Sequence, residues 1–452
     1  MSERKISPRH SSAILQAFSN GVTPRIGLEH VVVGRSAEIE ALLDDLDYRT
    51  TQGGASFRMV VGPYGSGKSF MLQVIRNYAL QRDFVVADAD LSAERRLTGT
   101  KGQGLSLYRE LLKNMAIRTR PEGGAFAPLL ERWMNDVQHK VMQETNIAPD
   151  APYFPLLVEQ KVQETLRSIS ALTNSFDFAR VLSLYWRAYQ VGDEGKMEQA
   201  IRWLRGEYQV LAEVRADLEV RSMITDGNWY NYLKLFAAFF QQIGYKGLVI
   251  FFDEAVNLYK ISNATSRNNN YEQFLTLFND INQGVAQYLG MIFSGTPQLV
   301  EDPKRGLYSY EALRSRLQES QFTQQGRRSF AGPIIRLDTL TNEELFVLLQ
   351  RLRNIHAQHY RYTTTITDND LQQFMAVITA QIGASKQLTP REIARDLIAV
   401  MEMMRRDSAA TFSDIIHKRE FAVSLQQSNP DELTPQNEIF DDDDSSFAGF
   451  TL

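Results

Sequence analysis

Gly62-Pro63-Tyr64-Gly65-Ser66-Gly67-Lys68-Ser69 is the stretch on which the fold turns. Its residues stand at the Gly-x4-Gly-Lys-Ser spacing of a phosphate-binding loop. Glycines at these positions let backbone N–H groups close around a β-phosphate, and a helix starting near Lys68 turns its positive end on the same group. In such a loop Lys68 reaches the β- and γ-phosphates and Ser69 holds Mg2+. With Phe70, the eight residues form the candidate nucleotide-binding set, and ATP with Mg2+ is the expected cofactor. A chance glycine-rich turn would lack the flanking pattern found here. An apolar strand reads from Phe57 to Val61 on one side. An amphipathic helix carrying Phe70, Met71, Val74, Ile75 and Tyr78 reads from Lys68 to Leu80 on the other.

Working outward, a second buried strand from Phe84 to Ala89 closes a strand–helix–strand unit. Upstream, residues 1–24 read as a short amphipathic helix with Ile14, Leu15 and Phe18 on one face, ending at Asn20-Gly21. A capped helix follows Ser36, with Ile39, Leu42, Leu43 and Leu46 inward. Downstream, the pattern from about 100 to 235 is helical, punctuated by Pro149, Pro152 and Pro155. Unbroken apolar runs at 247–252 and 289–293 read as strands buried on both faces, with a last short strand at 334–337. Residues 340–405 are again helical, with starts at Thr341, Thr367 and Thr389.

Four further features carry candidate chemistry. Asp253-Glu254 closes the run Leu248-Val249-Ile250-Phe251-Phe252. Asp253 there would order the Mg2+ shell and Glu254 would polarise the attacking water as general base. A plain helix-capping carboxylate is the competing reading. Ser294-Gly295-Thr296 ends the next strand, where Ser294 or Thr296 would orient the water beside the γ-phosphate. Arg314 and Arg316 follow on a helix-to-loop segment, from which an arginine can enter a neighbouring subunit's site; Arg316 is favoured over Arg314. Finally, Thr389-Pro390-Arg391-Glu392 combines a capping box with proline in the first turn. This puts the cation of Arg391 at the positive end of its own helix, so an anion is expected opposite. The ATP phosphates would serve, as would Glu392 or Asp396.

Composition sets the outer limits. The 452 residues suffice for several domains, and 43% hydrophobic residues permit a sizeable core. A net charge of −5 argues against a surface that coats nucleic acid, although a local basic patch remains compatible with it. Arg95, Arg96, Lys101, Arg109, Lys113, Arg118 and Arg120, with Tyr108 among them, form such a stretch. Interleaved acids favour a solvated helix face over a phosphate-backbone contact. Trp186, Trp203 and Trp229 are expected in the core of the helical segment. Without cysteine there is no disulfide or thiol chemistry, and no apolar run approaches the roughly 18 residues of a membrane span. A cytoplasmic protein is expected. The acidic end Asp441 to Leu452, with Phe447 and Phe450, reads as a docking peptide or a solubilising tail.

Taken in order, these motifs resemble those of AAA+ ATPases. That resemblance implies a P-loop core with a parallel sheet and helices on both faces, a large helical insertion, and a helical C-terminal lid. The corresponding divisions are 1–27 (N-terminal helix and lead-in segment), 28–100 and 236–338 (core), 101–235 (insertion), 339–425 (lid) and 426–452 (tail). The stretches 21–35, 62–70, 107–112, 202–208, 228–233, 244–247 and 302–314 further resemble the BREX-system ATP-binding proteins (BrxD-like family). This implies a bacterial ATPase of anti-phage defence, and it implies that the segment from Ile26 to Arg35 wraps the adenine. The activity expected from it is ATP-driven oligomerisation and remodelling of DNA or a DNA-bound defence complex. The alternative is a slow nucleotide-gated scaffold that assembles a partner such as a helicase. Homo-oligomers, DNA and a helicase-like defence protein are the expected partners, the last docked by residues 441–452.

Overall fold

In the computed structural model, residues 6–318, 329–382, 389–407 and 410–417 are described. The chain opens with α1 (Pro8–Ser19), α2 (Ser36–Asp44), β1 (Ala55–Val61), α3 (Lys68–Gln81) and β2 (Val85–Asp90). Seven helices follow: α4 (Gln103–Lys113), α5 (Phe126–Thr145), α6 (Phe154–Arg167), α7 (Ser175–Val191), α8 (Glu194–Leu204), α9 (Leu211–Leu218) and α10 (Trp229–Gln242). Then come β3 (Leu248–Asp253), α11 (Val256–Tyr259), α12 (Ala264–Asn282), β4 (Leu289–Gly295), α13 (Pro297–Glu301), α14 (Glu311–Leu317) and β5 (Ile334–Arg336). The last group is α15 (Asn342–Tyr360), α16 (Asp368–Ile382), α17 (Pro390–Arg406) and α18 (Phe412–His417).

The strands form one parallel sheet in the order β2-β3-β4-β1-β5. Side chains alternate between its faces, as a strand period of two requires. Met59, Ile250, Phe252, Met291 and Phe293 face the apolar cluster shared with α4, α5, α7, α10 and α12. Val60, Val249, Phe251 and Ile292 face α2 and α3 through Leu42, Met71, Leu72 and Ile75. Both faces are therefore covered, which explains why these strands read as continuous apolar runs rather than as alternating ones.

The helices between β2 and β3 bury Trp186, Trp203 and Trp229 almost completely, as expected. The indole N–H groups of Trp203 and Trp229 donate to the Ser222 and Leu97 carbonyls at 2.9 and 3.1 Å. Asp226 ties the end of this segment to its beginning, accepting from the N–H groups of Gly99, Gly104 and Leu105. Helix α10 continues past residue 235 to Gln242, because Phe236, Phe239 and Phe240 extend its buried face toward the sheet. The basic stretch does not form an aromatic platform. Tyr108 is fully buried and donates to the Leu204 carbonyl, Arg109 binds the Gly206 carbonyl, and Arg95 and Lys113 pair with Glu110.

A separate core joins the two ends of the described chain. Ile14, Leu15 and Phe18 of α1 pack with Leu349, Leu352, Leu397 and Met401 of α15 and α17. The three threonine starts appear as read: Thr341 and Thr389 form full capping boxes, and Thr367 accepts from the Asp370 N–H. Ser36 does not cap. It is the first residue of α2, and Arg35 occupies the cap position without capping the helix through its side chain. The acidic segment 441–452 lies outside the described residues.

Candidate nucleotide-binding site

Parallel pairing brings the carboxyl ends of four strands into one row. Val60 lies opposite Ser294, Phe252 opposite Phe293, and Asp90 opposite Asp253. Since β4 separates β1 from β3, Ser294 stands between the glycine-rich loop and the acidic pair. Its hydroxyl donates to Asp253 Oδ1, which also accepts the Glu254 N–H at 2.9 Å. Ser294 is buried, whereas Glu254 is exposed and has a left-handed backbone with φ of 55°. That conformation costs a residue with a side chain about 1–2 kcal/mol. It turns Glu254 out of the strand line and into a cleft, whose wall it joins. Asp90 sits beside this group; partial burial and the neighbouring Asp253 carboxylate push its pKa up.

The loop leaves β1 at Gly62, whose N–H donates to the Gly295 carbonyl at 3.1 Å. Gly67, which has no side chain, then takes the cap position of α3, so the first turn of the helix faces the loop uncapped by any side chain. The Lys68 ammonium donates to the Gly62 and Pro63 carbonyls, both at 2.9 Å, and so lies along the loop. Gly65 has φ of 79°, and a Cβ there would come within 2.6 Å of Thr389 Cγ2. The cap of α17 therefore rests directly on the loop. Arg35 braces the loop from the other side, donating to the carbonyls of Ser66 and Asp338.

These parts surround a cleft of about 350 Å³. Tyr64, Gly65, Ser66, Gly67, Lys68, Ser69 and Phe70 line it, with Glu254, Ser294, Thr296 and Arg391. Gly62 and Pro63 form the strand side of the loop and are not part of the lining, and neither is Asp253. Thr296 has a second task, since its hydroxyl accepts from the Leu299 N–H and caps α13. Arg391 is exposed and, among the described residues, has no hydrogen-bond or carboxylate partner. Glu392 is occupied with the Thr389 N–H and hydroxyl, and Asp396 lies near Arg395. Burial raises the Asp396 pKa, against the pull of Arg395. Arg314 and Arg316 stand outside the cleft on α14. Arg314 is 4.0 Å from Glu311, and Arg316 binds Asn279 Oδ1 at 2.9 Å.

The opposite wall is apolar. Val31 and Val33 come from the 26–35 segment, and Arg35 joins them. Phe18, Val22, Thr23 and Pro24 extend the wall upstream, and Leu340 and Leu348 complete it. Lys260, just past α11, also faces the cleft. Sequence reasoning missed Lys260 and these upstream and downstream residues. The amphipathic face of α1 was visible, but nothing local said that the loop after it would line the same cleft as Gly65.

The fold and the cleft define an α/β protein with a parallel sheet, whose glycine-rich loop and acidic strand end open on one deep site. The family follows from the sequence: the model for BREX system ATP-binding protein BrxC/D matches residues 6–420, and the chain belongs to that family of ATP-binding phage-defence proteins. No curated protein matches the chain. Among the described residues, no helix is long and apolar enough to cross a membrane.

Proposed function

We propose that the chain is an AAA+ ATPase that couples ATP binding and hydrolysis to assembly, and to remodelling of DNA or a DNA-bound defence complex. The observation that carries this reading is the convergence of Lys68, Ser69, Glu254, Ser294 and Arg391 on one cleft. In this reading residues 28–100 and 236–338 form the core, 101–235 an insertion, 339–425 a lid that closes with 1–27 over the nucleotide, and 426–452 a tail.

The adenine lies against Val31, Val33, Leu340 and Leu348, and the phosphates lie along Gly62–Ser69. Ser69 and Asp253 would hold Mg2+, which would offset the charge of the phosphates. Asp253 Oδ1 is engaged by Ser294 and by the Glu254 N–H. Glu254 takes the proton of the attacking water, and Ser294 fixes the acid beside it. Arg391 supplies the charge opposite the γ-phosphate, consistent with its unpaired state here. Arg314 and Arg316, exposed and outside their own cleft, suit a site completed by a neighbouring subunit.

Positioned general bases contribute about 10²–10⁴-fold to rate. Glu254→Gln should therefore lower turnover by that range and leave ATP affinity within a few-fold. Wild-type turnover in this variant would remove Glu254 from the mechanism. ATPase assays with and without DNA separate remodelling from scaffolding, since a scaffold turns over slowly and ignores DNA.

A further inference from the structure

The lead-in segment carries a second cluster of ligand-type side chains, away from the phosphate loop. His10 lies in the first turn of α1, and Glu29 and His30 lie in the short 3-10 turn Leu28–His30. These elements meet because Gly27, at φ of 78°, lies close against α1. A Cβ on Gly27 would stand 3.0 Å from Ile14 Cδ1 and 3.1 Å from His10 Cβ. No other residue type allows the turn to approach so closely with that backbone.

The three side chains converge. His10 Nδ1 and His30 Nε2 each lie 3.4 Å from the same oxygen, Glu29 Oε1. All three ligand atoms lie within 4.8 Å of one another. A separation of 3.4 Å is longer than the 2.7–3.2 Å of an ordinary N–H···O hydrogen bond. It is close to the spacing of tetrahedral zinc ligands, which with bonds of about 2.0–2.1 Å stand roughly 3.3 Å apart. The side chains are partly exposed, so the remaining position of a metal would be open to water.

We propose that His10, Glu29 and His30 form a binding site for a transition-metal dication of the zinc class. Two imidazoles and one carboxylate are the ligand set that such ions prefer over Mg2+, which selects oxygen-only shells. A bound ion would clip the turn to α1, one residue before Val31 on the cleft wall. The site is thus a staple between the lid-side helix and the segment that leads to the cleft.

The test is a Zn2+ titration of the full chain against a chromophoric chelator, without nucleotide and in excess Mg2+, so that it does not depend on the nucleotide reading. One tight equivalent is expected. His10→Ala and His30→Ala should each weaken it by more than about tenfold, the lower range seen even for outer-shell partners. Glu29→Gln, nearly isosteric, should do the same with an unchanged circular dichroism spectrum, which separates ligand loss from misfolding. His139→Ala, on an exposed face of α5, should leave binding intact. Absence of a Zn2+ equivalent in excess Mg2+, or undiminished binding by the His10→Ala/His30→Ala double variant, would overturn the site.

Discussion

The two walls of the cleft are built by different means. The sheet wall takes its residues from the ends of β1, β3 and β4, where backbone pairing sets their mutual positions before any side chain is considered. Ser294 meets Asp253 because parallel register puts the end of β4 beside the end of β3. The opposite wall draws on α1, the loop after it, Leu348 of α15 and the start of α17. These pieces share a hydrophobic core of their own, distinct from both faces of the sheet. One wall is held by hydrogen-bond register and the other by side-chain packing.

Substitutions on the two walls should therefore differ in size and kind. The largest effect is expected on the sheet side. Removing a hydrogen-bonded charge from a binding site costs about 2–5 kcal/mol. Lys68→Ala should accordingly weaken ATP by roughly 30-fold to several thousand-fold in a fluorescent-nucleotide titration, with little change in melting temperature. Retained affinity would mean that the loop does not hold the phosphates.

On the packed wall, Arg391→Ala should cost about 1.5–3 kcal/mol, the worth of a hydrogen bond to a charged group. That is about a 10- to 100-fold loss for ATP, and a smaller one for ADP if Arg391 faces the γ-phosphate. Equal losses for both nucleotides would move Arg391 away from that phosphate.

The smallest effect sharpens the comparison further. Loss of an N-cap costs about 1 kcal/mol. Thr389→Ala and Thr367→Ala should lower stability alike in denaturant titrations. Only Thr389→Ala should also reduce ATP affinity, because Thr389 alone of the two rests on Gly65. Matching affinities would show that the contact is incidental to binding.

The same division explains what the sequence revealed. The sheet wall was legible because each part is local. Glycine spacing marks the loop, an apolar run ending in Asp253-Glu254 marks β3, and Ser294 closes the next run. The capping box at Thr389 was legible for the same reason, and it carried Arg391 with it. Of the apolar wall only the 26–35 segment was anticipated, through the family resemblance; the rest was not, since Phe18 and Leu348 lie far apart in sequence and come together in the α1–α15–α17 core. Tyr108 misled for a related reason: in a charged stretch its neighbours hid a side chain that α4 turns fully inward. Thr296, read only as a water-orienting group, also caps α13, a second role that the strand-end pattern did not announce.

In the proposed function one nucleotide bridges both walls. Amide hydrogen exchange with and without ATP and Mg2+ tests it most directly, using Glu254→Gln to hold the nucleotide intact. Slowed exchange is expected in residues 62–71 together with residues 18–35 and the first turns of α17. Protection confined to residues 62–71, with residues 18–35 and α17 unchanged, would contradict it.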